Sequence, residues 1–204
     1  MRCNGVRDLV PLKRRWCIMP GMEVRDKIFN LCKSIDPLDD LEKTTIEDAI
    51  HWIGSSTEIF RIEKPNVPDK HLVSYFGVFD PNFEKILLVE HKNAGLWLPS
   101  GGHVEPGEDP KVTVERECLE ELGVEAQFVF DDPMFITATM TVGKTAGHTD
   151  VSLWYTLQLD SEQNLAFDKE EFHSVKWFDL ESIPEKTDPQ LHRYIKKVKN
   201  SVAR

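Results

Sequence analysis

The chain reads as an α/β protein, a mixed β-sheet with helices on both faces, and three features lead there. Short β-rich runs stand on both sides of one central helical segment, a second amphipathic run closes the sequence, and a helical pattern precedes them all. With 204 residues and 40% hydrophobic content, the chain can bury one good core and a small appendage.

Residues 1–21 show no period, are broken by Pro11 and Pro20, and are expected to be a disordered tail. A floppy tail, or a start codon placed ahead of Met22, is preferred over a basic organelle-targeting leader. From Met22 onward Val24, Ile28, Leu31 and Ile35 recur at helical spacing until Asp36-Pro37. A second helix is expected within 38–53, on the stripe of Leu38, Leu41, Ile46, Ala49, Ile50 and Ile53, with Gly54 at its end. The capping-box spacing of Thr44 and Glu47 leaves open a split into two helices. Residues 22–65 are thus a helical extension with its linker. It is too small for a core of its own, so it packs either on the main domain or on a second copy, as in a homodimer.

The main domain is expected over 66–204. Ile59–Ile62 is a candidate short strand ahead of it, Leu72–Phe79 reads as a strand, Asp80-Pro81-Asn82 as a turn and Lys85–Glu90 as the returning strand. Leu96–Leu98 leads into a glycine loop at Gly101-Gly102, which Glu105-Pro106-Gly107-Glu108 continues. Asp109 then has the character of an N-cap, Pro110 of a first helical residue and Gly123 of a left-handed C-cap, with Val112, Leu119 and Leu122 as apolar contacts. Strands are expected at Ala126–Phe130, Phe135–Val142, Asp150–Leu159 and Val175–Phe178, with residues 143–147 as a hairpin tip. A closing helix is expected over Leu191–Val202.

Glu117, Glu120 and Glu121 stand at i, i+3 and i+4 of the central helix, so they share one side of it. Like-charge pairs at this spacing each cost about 0.2–0.5 kcal/mol, and a hard divalent cation such as Mg²⁺ or Mn²⁺ is the strongest candidate to offset them. Arg116 is also spaced to pair with Glu120. The full pattern is Gly102, Glu108, Arg116-Glu117, Cys118-Leu119, Glu120-Glu121, Leu122 and Gly123-Val124. It resembles the signature box of the Nudix hydrolase family. Such a set of fixed offsets arises by chance on the order of once in 10⁸ start positions.

The resemblance spans about residues 70–203 and implies the Nudix α/β/α sandwich with a mixed sheet, plus an N-terminal helical extension that the minimal fold lacks. It implies hydrolysis of a nucleoside diphosphate linked to another group, with Mg²⁺ or Mn²⁺ as cofactor. Gly102 (through its carbonyl), Glu117, Glu120 and Glu121 are then the metal ligands. Glu117 is either ligand or general base, Arg116 orients it, and Glu108 anchors the loop. Glu171, in the late loop Asp168–Glu171, is chosen over Glu170 as the further catalytic carboxylate that relatives place outside the box. Ser100 departs from the family, which usually has proline there. A MutT-like (deoxy)nucleoside triphosphate pyrophosphohydrolase is the leading substrate reading. An enzyme for ADP-ribose or another conjugate, and a catalytically inactive sensing or interaction module, are the alternatives.

Composition narrows the partners. A formal net charge of −10 argues against nucleic-acid binding and leaves a nucleotide-type small molecule, accepted where a metal inverts the local sign. The absence of any long apolar run argues against a membrane span. Scattered cysteines without metal spacing fit reduced thiols and a cytoplasmic protein. Trp97, Trp154 and Trp177 are read as core. His103, Lys92 and Lys144 are weaker phosphate-contact candidates, His148 and Asp150 flank a hairpin tip, and Cys118 faces the helix interior as a small hydrophobe rather than a nucleophile.

Overall fold

The computed structural model describes residues 20–64, 66–143 and 146–203. The expectations for residues 1–19, Pro65 and Lys144 lie outside these. Helices α1 (Pro20–Ser34) and α2 (Asp40–Ser55) come first, followed by strands β1 (Lys70–Phe79), β2 (Lys85–His91), β3 (Leu96–Leu98) and β4 (Ser100–His103). Helix α3 (Pro110–Leu122), strands β5 (Phe135–Met140), β6 (Thr149–Gln158) and β7 (Phe172–Asp179), and helix α4 (Leu191–Val202) complete the order.

The sheet has seven strands in the order β3-β2-β1-β6-β5, with β4 pairing β1 and β7 pairing β2. It is mixed: β1 and β6 run parallel from Lys70↔Thr149 to Phe79↔Gln158, and the other pairs are antiparallel. Period-two alternation divides the side chains between two cores. Leu87, Val89, Leu153 and Tyr155 join one core with α1, α2 and α3, whereas Ile86, Leu88 and Trp154 join the other beneath α4. These layers form the expected α/β/α sandwich.

The N-terminal hairpin packs on its own chain. Ile28, Leu31, Ile46, Ala49 and Ile53 are buried in the same cluster as Leu72 and Phe76. Glu42, fully buried, fixes the far side: its carboxylate accepts from Leu38 N (2.6 Å), Ile136 N (3.3 Å) and Lys197 Nζ (2.7 Å). One side chain thus ties α2 to the terminal strand β5 and to α4, and occupies a backbone donor of that strand. Desolvation holds the Lys197 ammonium below its ordinary pKa even with Glu42 beside it.

Several sequence expectations are corrected. Helix α2 is unsplit and runs past Gly54 to Ser55, because Asp39 caps it through Glu42 N and the Thr44 hydroxyl merely donates back to Asp40 O. Residues 59–62 form no strand: Ile59 and Phe60 are core side chains, and the backbone turns through a bridge between Glu63 and Val67. Residues 126–130 meet β6 only around the Phe128↔Leu157 bridge, since β5 already covers β6 from Thr149 to Trp154. Val112 and Leu119 are exposed, and Val114, Cys118 and Leu122 form the buried stripe of α3 instead. Gly101 and Gly102 lie in strand β4 rather than in a loop. No helix of the described residues is long and apolar enough to cross a membrane.

Candidate active site

Strand β4 and helix α3 build the site between them. Asp109 caps α3 by accepting from Lys111 N (3.0 Å), Pro110 starts it, and Gly123 ends it at φ 71° with its N–H on Leu119 O. On the facing strand, Gly101 and Gly102 pair with Tyr75 and Ser74 of β1. A Cβ at Gly102 would fall inside the Glu117 carboxylate, and one at Gly101 would strike the Ser74 carbonyl. The glycines therefore let a strand backbone lie directly against the acidic side of α3.

Arg116 organises that side. Its guanidinium forks onto Glu108 (Nε to Oε1 and Nη2 to Oε2, both 3.2 Å), reaches Glu117 Oε1 at 2.6 Å and Glu120 Oε2 at 3.3 Å, and donates to the His103 carbonyl at 3.3 Å. Glu108 also accepts from Thr113 Oγ1 (2.7 Å) and Glu105 N (3.1 Å). Burial alone would raise the Glu108 pKa, yet the bonds from Arg116 and Thr113 outweigh it and hold the carboxyl below its usual range. Bonding to Glu108 above all, with Glu117 adding to it, keeps Arg116 firmly charged.

The other carboxylates are strained in charge. Burial pushes Glu117 up despite Arg116, and the charges of Glu120 and Glu171 push the same way. Glu121, 5% exposed, is raised well above the ordinary value by burial first and then by Glu117 and Glu171. The Gly101 N–H at 3.2 Å and the Ser100 hydroxyl counter this in part. Ser100, at a position where proline is expected, thus hydrogen-bonds a carboxylate.

Gly102, Glu117 and Glu121 are in one place, and Glu171 lies within electrostatic reach of both glutamates. Glu171 Oε1 is 3.2 Å from His91 Nε2, and its backbone carbonyl accepts from Lys92 N. Glu120 departs from the others: its side chain is 61% exposed and turned outward. Glu170 is exposed and donates its N–H to Asp168 Oδ1 (2.7 Å). Arg61 has no motif to announce it, yet it lies half-buried where it acts on Glu105, Asp150 and Glu117, and burial lowers its pKa.

Among the remaining candidates, Trp154 is fully buried, with its indole N–H on Thr137, and Trp97 and Trp177 are half-buried against the two cores. Cys118 is buried and its thiol is pushed up to about 12, which leaves it without nucleophilic character. His148 does not sit on an open hairpin tip. It is 3% exposed and, with Asp150, joins His71 and His103 in a cluster on the opposite side of β4. Burial, followed by the charges of Arg61, His71 and His148, lowers the His103 pKa to about 2.

Comparison with known proteins identifies the family and the fold. The NUDIX domain family model matches residues 70–198. A mouse protein, nucleoside diphosphate-linked moiety X motif 6, is 34% identical over 116 residues, which is 55% of this chain and 36% of that protein. The chain thus spans little more than a third of that relative. The RNA pyrophosphohydrolase of Bartonella clarridgeiae is 32% identical over 120 residues, 49% of this chain and 68% of that enzyme. Among solved structures, a NUDIX-family hydrolase from Clostridium perfringens superposes with a TM-score of 0.52 at 20% identity, over 65% of this chain and 97% of the other. The NUDIX domain of Shewanella oneidensis NrtR, complexed with ADP ribose, gives 0.51 at 20% identity, over 64% and 87%. At such identity these structures bear on the fold alone.

Proposed function

Because the chain belongs to the Nudix family, we propose that it hydrolyses a phosphoanhydride bond in a nucleoside diphosphate-linked substrate, and within that class a (deoxy)nucleoside triphosphate. The observation that supports this reading is Glu121. A buried carboxylate crowded by Glu117 and Glu171 is costly unless a positive charge joins it. The donors gathered there are oxygens, from Glu117, Glu121 and the Gly102 carbonyl, which is the chemistry Mg²⁺ or Mn²⁺ prefers, and the exposed Glu120 would complete the set by turning inward. When bound, the ion would shield the pyrophosphate charge and lower the pKa of a water poised for in-line attack.

The chain's own residues do the remainder. Arg116 fixes the rotamer of Glu117 from one side while Gly102 limits it from the other. Glu117 then either ligates or accepts the proton of the attacking water, and its raised pKa brings it nearer the working range of a base. Glu171, 43% exposed on the loop before β7, is the alternative proton acceptor. Arg61 acts on Glu117, and on Glu105 and Asp150, with a cation that suits a substrate phosphate. The net charge of −10 favours a small nucleotide over an RNA chain, the substrate named for the Bartonella relative.

The test is phosphate or pyrophosphate release from nucleoside triphosphates, ADP-ribose and dinucleoside polyphosphates, with Mg²⁺ or Mn²⁺, by the wild type and Glu121→Gln. Triphosphate turnover that falls by more than about a hundredfold in the variant, beyond the usual cost of an outer-shell change, supports the proposal. Preference for ADP-ribose or a dinucleoside polyphosphate rejects the triphosphate assignment. Equal turnover in both proteins removes Glu121 from the mechanism, and an inert wild type returns the chain to the class of binding modules.

A further inference from the structure

Across β4 from the carboxylates lies a second constellation that the hydrolysis does not use. His71 on β1, His103 at the end of β4, and His148 and Asp150 at the start of β6 point ligand atoms at one another, all within 4.8 Å. The register makes this possible: Asp150 is the parallel partner of His71, and His103 pairs with Val73, two residues along the same strand. Side chains two apart on a strand share a face, so β1 brings the groups from its two neighbours together.

The separations have the size of a coordination shell. His71 Nε2 is 3.0 Å from His103 Nε2 and 3.2 Å from Asp150 Oδ1, and His148 Nε2 is 3.4 Å from the same oxygen. A tetrahedral ion with bonds of about 2.0–2.1 Å has ligands roughly 3.3 Å apart. The outer contacts also match. His71 Nδ1 bonds the Pro68 carbonyl at 2.8 Å, which places the ring proton there and leaves the Nε2 lone pair facing inward. His148 Nδ1 meets Thr141 Oγ1 at 3.1 Å, so its Nε2 also turns to the centre.

Hydrogen bonding within the protein leaves this cluster unsatisfied. Asp150 Oδ1 is buried and has no hydrogen-bond partner among the described residues, although two imidazoles stand near it. With the His71 proton on Nδ1, that oxygen faces a lone pair instead of a donor, and a buried carboxylate oxygen in that situation is destabilising. A cation at the centre resolves it. Three imidazoles and one carboxylate are a borderline-soft set, suited to zinc and its neighbours rather than to Mg²⁺.

We propose that His71, His103, His148 and Asp150 bind one tetrahedral transition-metal ion of the zinc class, separate from the oxygen donors of α3. The ion joins β1, β4 and β6 at one end of the sheet. Because the His103 carbonyl accepts from Arg116 and Gly102 abuts Glu117, it also braces the strand on which the carboxylate site rests.

The experiment uses the full chain in excess Mg²⁺, which occupies the oxygen site, and titrates it with Zn²⁺ alone and then with Co²⁺ as a spectroscopic probe. One equivalent of Zn²⁺ taken up equally by wild type and Glu121→Gln is the expected result, with the intense visible absorption of tetrahedral Co²⁺. His103→Gln should abolish that absorption, and Asp150→Asn, which preserves volume, should weaken Zn²⁺ binding at least about tenfold. Circular dichroism of both variants verifies that they fold, and either one suffices for the comparison. Absence of Zn²⁺ uptake by the wild type, or uptake unchanged in a folded variant, overturns the proposal. Uptake lost in Glu121→Gln also overturns it, since the ion would then belong to α3. Catalytic turnover is not the readout, so an inactive protein leaves the outcome legible.

Discussion

The two faces of strand β4 present opposite chemistry across a single backbone. Toward α3, Gly102 meets carboxylates that burial and mutual repulsion have raised in pKa. One residue later, His103 turns to a cluster of imidazoles, and burial has driven its own pKa the other way. Desolvation is the leading cause on both sides, and it disfavours whichever form carries charge. Glu121 and His103 therefore move apart in sign, the acid held toward its neutral form and the base toward its own. Hard oxygen donors and borderline nitrogen donors are thereby kept in separate compartments only a residue apart.

The most severe way to break this separation is Gly102→Ala. The added methyl enters the space of the Glu117 carboxylate, and displacement of that group by about 1 Å should lower kcat/KM by about a hundredfold. Zn²⁺ affinity in the same protein is expected to stay unchanged, because the added methyl meets Glu117 while the His103 side chain joins the cluster on the opposite face. Parallel loss of both properties would show that β4 moves as one rigid piece.

A smaller effect is expected in the pH dependence of stability of the metal-free protein. Glu121 has a folded pKa above its ordinary 4.5, so the native state binds the extra proton and stability falls as pH rises from 4.5 through the folded value. His103 has a folded pKa near 2 against an ordinary 6.5, so its contribution is present above 6.5 and is lost as pH falls toward 2. Thermal melts should show Glu121→Gln gaining most over the wild type at high pH, whereas His103→Gln gains most at low pH. Excess Mg²⁺ should raise the wild-type Tm more at pH 8 than at pH 5. The same sign of pH dependence for both variants would contradict the assignment.

The mildest test is Ser100→Ala. It removes one hydroxyl from the Glu121 carboxylate, a hydrogen bond worth about 1 kcal/mol, and should raise the Glu121 pKa further. The acidic limb of the rate profile should move to higher pH, with kcat/KM at pH 8 reduced only a few-fold. An unmoved limb would show that the hydroxyl does not reach the carboxylate in solution.

The same contrast explains what the sequence made legible. The carboxylate side sits on one helix and the strand before it, so fixed offsets spell it out, caps included, and the closing helix over 191–202 was equally readable from its period. The imidazole side takes His71, His103 and Asp150 from three strands and His148 from the residue before β6, and their meeting depends on a parallel register that no local pattern encodes. His148 and Asp150 look like tip residues because the sequence shows their neighbours Gly143 and Gly147 and hides β1. Arg61 is illegible for a related reason: it lies on an irregular connection whose course is set by Ile59 and Phe60 entering the core. Residues 126–130 have strand composition but find only a few free positions on β6, a competition visible only in three dimensions.

The buried clasp between Glu42 and Lys197 bears on how the molecule is made. Its partners are 155 residues apart in the chain, and the Ile136 amide that shares the carboxylate comes 94 residues after it. At a ribosome's pace, α2 emerges on the order of ten seconds before α4 can meet it. Within that interval β1 and β6, which cover the apolar stripe of the first helices, are made, whereas Glu42 still lacks its cation. The apolar docking of the hairpin can thus precede the clasp, which closes only once the C-terminal helix has been made.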